Sequence, residues 1–103
     1  MSFEVRKTRP AEEDLLEAAL WYDCREPGLG DQFLNEVDAA VAALAEHAFL
    51  SSVKFEGARR APVRRFKKYG VWYVQRAREV IVFAVVHGRR SPRWVRLRRK
   101  LLG

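Results

Sequence analysis

The stretch Val71-Trp72-Tyr73-Val74-Gln75-Arg76-Ala77-Arg78-Glu79-Val80-Ile81-Val82-Phe83-Ala84-Val85-Val86 decides the fold. Two runs rich in β-branched and aromatic residues flank the polar turn Arg76 to Glu79, which is the composition of a strand pair. The second run is apolar at every position from Val80 to Val86, so both its faces need cover and it is expected to lie centrally in a sheet. It is also far shorter than the roughly 20 residues a membrane-spanning helix requires, and no membrane partner is expected.

Working upstream, Arg60 to Lys68 reads as a further strand. Pro62 confines that end to a sheet edge or a strand start, because proline has no N–H to give to a ladder. The segment from Phe49 to Gly57 reads as a loop. From Gly30 to about His47, Phe33, Val37, Ala40, Val41 and Leu44 recur at helical spacing. A preceding helix runs from about Pro10 to Arg25, with a first-turn proline, with Glu12, Glu13 and Asp14 where the helix dipole favours negative charge, and with Leu15, Ala18, Ala19 and Tyr22 on one stripe. Pro27-Gly28 ends it, and a short link of about six residues predicts an antiparallel helical hairpin. Phe3 to Thr8 reads as a first strand. Downstream, Ser91-Pro92 reads as an N-cap and first-turn proline opening a last helix, Arg93 to Leu102, whose apolar stripe is expected to be Trp94, Leu97 and Leu101. The expectation is a single α+β domain over residues 1–103: an N-terminal strand, an antiparallel helical hairpin, three antiparallel strands and a short C-terminal helix.

The charge distribution is uneven. Residues 1–52 carry four basic groups against eleven acids, whereas residues 53–103 carry sixteen basic groups against Glu56 and Glu79 alone. The net charge of +7 is therefore the difference between an acidic first half and a strongly basic second half, and a polyanion or an acidic protein segment is expected to meet the second. A composition of 49% apolar and 32% charged residues excludes a disordered tail. The single cysteine, Cys24, excludes an intramolecular disulfide and fits a reducing cytoplasm, and Met1-Ser2-Phe3-Glu4 opens no apolar signal stretch.

Few residues offer catalytic chemistry. His47 and His87 have no further ligand at metal-binding spacing, the glycines form no phosphate-cradling loop, and no nucleophile elbow is present, so neither a metal nor a cofactor is expected. The basic and aromatic stretch is the stronger signal. Arg59, Arg60, Arg64, Arg65, Lys67 and Lys68 precede Tyr69, Trp72 and Tyr73, and Arg89, Arg90, Arg93, Trp94, Arg96 and Arg99 continue the positive charge. Such a mixture neutralises phosphates and stacks bases, although strand aromatics taken singly are more often core. His87, beside Arg89-Arg90, is suited either to proton transfer at a phosphodiester or to capping its strand by one hydrogen bond.

Several short motifs follow one another along the chain: Ala11 and Asp14-Leu15, Trp21-Tyr22, Leu29-Gly30 with Phe33-Leu34, Phe55-Glu56-Gly57 with Arg59, Lys68-Tyr69-Gly70-Val71-Trp72-Tyr73, and Ala84-Val85-Val86-His87 with Arg89-Arg90-Ser91-Pro92. In this order they resemble the RelE/ParE superfamily of type II toxin–antitoxin toxins. The chain departs from the family pattern at Lys67-Lys68, where Phe-Pro often precedes the tyrosine, and at Ala48-Phe49, where a proline often follows the second helix. The resemblance implies a toxin neutralised by a cognate antitoxin, whose binding segment is expected to be acidic and partly disordered when free. RelE-like members cut mRNA on the ribosome, and of such a nuclease set this chain matches at most Arg65, His87 and Arg90. ParE-like members poison DNA gyrase and need no hydrolytic centre, and the resemblance is closer to that branch. A non-enzymatic nucleic-acid-binding module is the remaining alternative; its reading surface would be the sheet and last helix, because the hairpin helices are acidic.

Overall fold

The computed structural model describes residues 2–103. The elements run β1 (Glu4–Lys7), α1 (Arg9–Arg25), α2 (Leu29–His47), β2 (Val53–Phe55), β3 (Ala58–Pro62), β4 (Tyr69–Arg76), β5 (Glu79–His87) and α3 (Pro92–Leu102). They build an α+β fold with a five-stranded sheet in the order β1-β5-β4-β3-β2. β1 pairs parallel with β5 and the other neighbours are antiparallel. The helical hairpin covers one face of the sheet and α3 covers part of the other.

This layering follows from the sequence pattern. Thr8 caps α1, its hydroxyl accepting from the Ala11 N–H at 3.3 Å, and Pro10 costs nothing in the first turn. Phe33, Val37 and Leu44 on α2 and Ala11, Leu15, Ala18 and Ala19 on α1 pack against Val71, Tyr73, Val80, Val82 and Val85 of the sheet. Tyr73 is fully buried there, and its hydroxyl donates to the Ala48 carbonyl at 2.6 Å, fixing the end of α2 to the sheet. Across the sheet, Val74, Ile81, Phe83, Ala84 and Val86 meet Val95, with Trp94 and Leu102 beside it. β5 is thus covered on both faces and flanked by β1 and β4, as its unbroken apolar run requires.

Phe83 interrupts the β4–β5 register. Trp72 pairs with Ala84 and Tyr73 with Val82, leaving Phe83 as an extra residue without a partner. Such a bulge turns consecutive side chains to one face, and Phe83 and Ala84 both lie on the α3 side.

Four expectations need correction. The segment assigned to a loop contains strand β2, joined to β3 by the two-residue turn Glu56–Gly57 with both φ positive (44° and 75°). That backbone matches the turn type favoured in hairpins. The expected strand Arg60 to Lys68 begins at Ala58 and ends at Pro62. Beyond it the chain makes two successive turns, Phe66 N–H to the Val63 carbonyl and Tyr69 N–H to the Phe66 carbonyl, which carry Val63 and Phe66 into the core. The turn between β4 and β5 is Ala77–Arg78, with Arg76 and Glu79 still paired. The link between the helices is only Glu26–Gly28.

The inward face of α3 is also not the expected stripe. Val95 is buried and Trp94 and Leu102 are half-buried, while Leu97 and Leu101 are 56% and 77% exposed. The reason is Arg98, which lies one turn after Trp94 and Val95 and points inward because it meets a carboxylate there. Val95→Ala should therefore cost about 2 kcal/mol, and Leu101→Ala should leave the denaturation midpoint unchanged. Urea unfolding of the two variants checks the assignment, and equal losses would contradict it.

Candidate functional site

α3 leaves part of its sheet face open, and a groove of about 300 Å³ lies there. Lys54 of β2, Arg60 of β3, Arg90 of the β5–α3 loop and Arg96 of α3 line it, around Phe55, Trp72 and Val95. The positions follow from alternation. Ala58 and Arg60 are two apart on β3, so the Arg60 side chain shares the α3-facing side with Ala58. Opposite Pro62, Gly70 lets the Arg60 side chain lie against the backbone: a Cβ at Gly70 would overlap Arg60 Nε and come within 2.6 Å of Cζ. The Arg96 guanidinium stands 4.4 Å from the Phe55 ring centre and that of Arg90 4.5 Å from the Trp94 ring centre. Such stacking orders a cation without neutralising it. Among the described residues, none of these four cations has a carboxylate at ion-pair distance.

His87 and Arg90 line this groove and also a wider cleft of about 970 Å³ on the other side of the β5 end. The wider cleft runs between α1, with Leu20 and Trp21 exposed, and Lys68, Arg89 and Arg90. Tyr22 and Tyr69 line it and pack on the buried Phe33 and Phe66 behind them, with ring centres 5.0–5.9 Å apart. Burial pushes the phenol of Tyr69 above its ordinary pKa, helped by neighbouring Tyr22 and Glu17 and opposed by Arg90; burial alone raises that of Tyr22. Both therefore remain protonated at neutral pH.

The imidazole of His87 has a defined hydrogen bond. Its Nδ1 accepts the Arg89 backbone N–H at 3.0 Å, so the neutral ring carries its proton on Nε2. That is the strand-capping role, and it leaves the ring edge against Tyr69, 5.3 Å between centres.

The other expected site residues are dispersed. Arg65 adopts a left-handed backbone (φ 70°) and reaches to α2, donating to Gln32 Oε1 at 2.9 Å and standing 3.9 Å from a Glu36 oxygen. It lines neither groove nor cleft, so the structure brings His87 and Arg90 together and leaves Arg65 apart. Arg59 donates to the Ser51 carbonyl at 2.5 Å and stacks on Phe49, which ties the β2–β3 hairpin to the end of α2. Arg99 donates to the Glu56 carbonyl at 3.0 Å and to that of Gly103 at 3.2 Å. Arg64, Lys67, Lys68, Arg89 and Arg93 are exposed. Among the described residues, no three His, Cys, Asp or Glu side chains cluster as a metal site would need, and no helix is long and apolar enough to cross a membrane.

Sequence reasoning missed Asp14 and Arg98 as a pair. β1 ends at Lys7, opposite Val82, so the β5 edge beyond it has no strand partner. Asp14 of α1 fills that gap: its Oδ2 accepts the Val85 N–H at 3.0 Å. Arg98 comes round the same edge from the other face and binds both Asp14 oxygens, at 3.0 and 3.1 Å, while donating to the bulged Phe83 carbonyl at 2.8 Å. Both side chains are largely buried, 17% and 11% exposed. One ion pair thereby holds α3, and one wall of the basic groove, to α1.

Comparison with known proteins agrees with this architecture. No curated protein sequence matches the chain. Solved structures do; among them is one described as the chromosomal ParDE TA system from P. aeruginosa, with a TM-score of 0.74, 16% sequence identity, and coverage of 84% of this chain and 96% of that one. The family model that matches, over residues 5–92, is the ParE toxin of the type II toxin–antitoxin system parDE. A match that runs from β1 through both hairpin helices and all four later strands to Pro92, the first residue of α3, leaves one conclusion: the chain belongs to the ParE family of toxins of type II toxin–antitoxin systems, which implies a cognate antitoxin as its partner.

Proposed function

We propose that this toxin inhibits growth by poisoning DNA gyrase through surface complementarity, without a hydrolytic step of its own. One observation carries the choice. Cutting RNA needs one group to take the 2′-hydroxyl proton and another to protonate the leaving oxygen. The one histidine of the basic half engages Nδ1 with a backbone N–H, and the groove beside it is lined by cations and apolar groups with no carboxylate among them; of the two carboxylates that line the wider cleft, Asp14 is taken up by Arg98 and Glu17 belongs to α1. The acids of that half lie outside the groove: Glu79 pairs with Arg6 at 3.1 Å, and Glu56 sits in the β2–β3 turn. A poison needs only a charged, shaped surface, and the open sheet face with α3 supplies one.

Neutralisation follows from the same charge. The antitoxin segment is acidic, partly disordered when free, and folds as it wraps across the basic sheet face and α3, so its affinity falls as salt rises. Inhibition of gyrase supercoiling by purified toxin tests the target. His87→Gln should shift the half-inhibitory concentration less than about twofold, because it removes no catalytic group; a loss of inhibition above roughly tenfold would contradict the reading.

A further inference from the structure

The basic groove holds charge that no carboxylate neutralises among the described residues. Arg6, Arg9, Arg65 and Arg98 all have carboxylate partners. Arg60, Arg90, Arg96 and Lys54 do not, although like charges repel and the aromatic walls lower the local dielectric. Stacking on Phe55 and Trp94 and the glycine at position 70 hold three guanidinium groups facing one space, so the repulsion is built in rather than relaxed. Trp72, half-buried, lies in the same groove. Three planar forks around an aromatic surface suit a phosphodiester with a base attached better than they suit a carboxylate side chain, which has no ring to stack.

We propose that this groove binds one nucleotide of a single-stranded polynucleotide, its phosphate among Arg60, Arg90 and Arg96 and its base against Trp72. About 300 Å³ admits a single nucleotide. Adjoining phosphates continue along Arg89 and Lys68, because the groove and the wider cleft share His87 and Arg90. On the reading of the toxin as a gyrase poison, on which the biological role of this site rests, the strand is DNA opened within the enzyme's complex. The binding chemistry itself stands without that reading.

The test is fluorescence anisotropy of labelled oligothymidylate and oligouridylate, each twelve nucleotides, titrated with the purified protein in low and moderate salt, with polyglutamate as competitor. Arg60→Gln combined with Arg96→Gln should weaken oligothymidylate binding about tenfold or more. Arg78→Gln, an equal kind of charge loss at the distant β4–β5 turn, should change it less than twofold. Trp72→Leu should weaken the oligonucleotides several-fold and leave polyglutamate unaffected. Circular dichroism melting confirms that each variant is folded. Tighter binding of oligothymidylate than oligouridylate assigns the site to DNA, and the reverse order assigns it to RNA. Equal loss in the groove and Arg78 variants, or polyglutamate binding more tightly than either oligonucleotide, would overturn the proposal. Gyrase inhibition that persists in a protein failing this test would leave the target reading intact, whereas oligonucleotide binding without gyrase inhibition would do the opposite.

Discussion

Asp14→Ala is expected to lower the unfolding free energy by about 3 kcal/mol, and the melting temperature by roughly 15 °C for a domain of this size. The substitution strands the Arg98 guanidinium in a nearly enclosed position and removes the acceptor of the Val85 N–H. Such losses exceed those from exposed ion pairs such as Arg9–Glu13, whose side chains are 90% and 70% exposed. Asp14→Asn should cost less, since its carbonyl oxygen still accepts from Val85. Replacing both partners together, Asp14→Leu with Arg98→Met, should recover part of the loss, because neither charge is then left unpaired. Thermal unfolding of the three variants checks the scheme, and a melting temperature within about 3 °C of the parent for Asp14→Ala would contradict it.

Gly30→Ala is expected to have an effect of similar size, about 2–3 kcal/mol. α1 and α2 cross so closely that a Cβ at Gly30 would overlap the Ala19 carbonyl oxygen and come within 2.7 Å of Asp23 Oδ1. That same Asp23 oxygen accepts the Gly30 N–H at 2.7 Å, satisfying a first-turn amide of α2. A larger residue must push the helices apart against a backbone atom, which cannot rotate away. Urea denaturation measures it, and a midpoint unchanged from the parent would show that the hairpin tolerates separation.

Most of the architecture was legible in the sequence because its signals are local and one-sided. The apolar run Val80 to Val86, the helical spacing from Phe33 to Leu44, the first-turn proline Pro10 and the cap Ser91 each state their element without help from the rest of the chain. β2 was not legible, since Val53-Lys54-Phe55 is too short to show alternation and is a strand only because the Glu56–Gly57 turn folds it onto β3. The face of α3 was misjudged for a related reason. A leucine at helical spacing outranks an arginine on any hydropathy pattern, and Arg98 is turned inward by Asp14, 84 residues away. The charge asymmetry pointed to the second half as a region but did not sort its members. Arg59, Arg65 and Arg99 turn out to fasten loops and helices, while Lys54, outside the expected set, lines the groove with Arg60, Arg90 and Arg96. Which arginine does which depends on strand register and turn geometry, which composition does not carry.

The claim that this toxin stops gyrase rather than cutting messenger RNA is tested most directly by giving one preparation both targets. Purified protein is incubated with gyrase and supercoiled plasmid, and cleaved complexes are trapped with detergent and protease; the same protein is added to a translation extract, whose mRNA is mapped for breaks. The account predicts linear plasmid accumulating with toxin concentration, nearly unchanged in His87→Gln, with intact mRNA. Breaks at ribosome-occupied codons that disappear in His87→Gln, with gyrase unaffected, would contradict it.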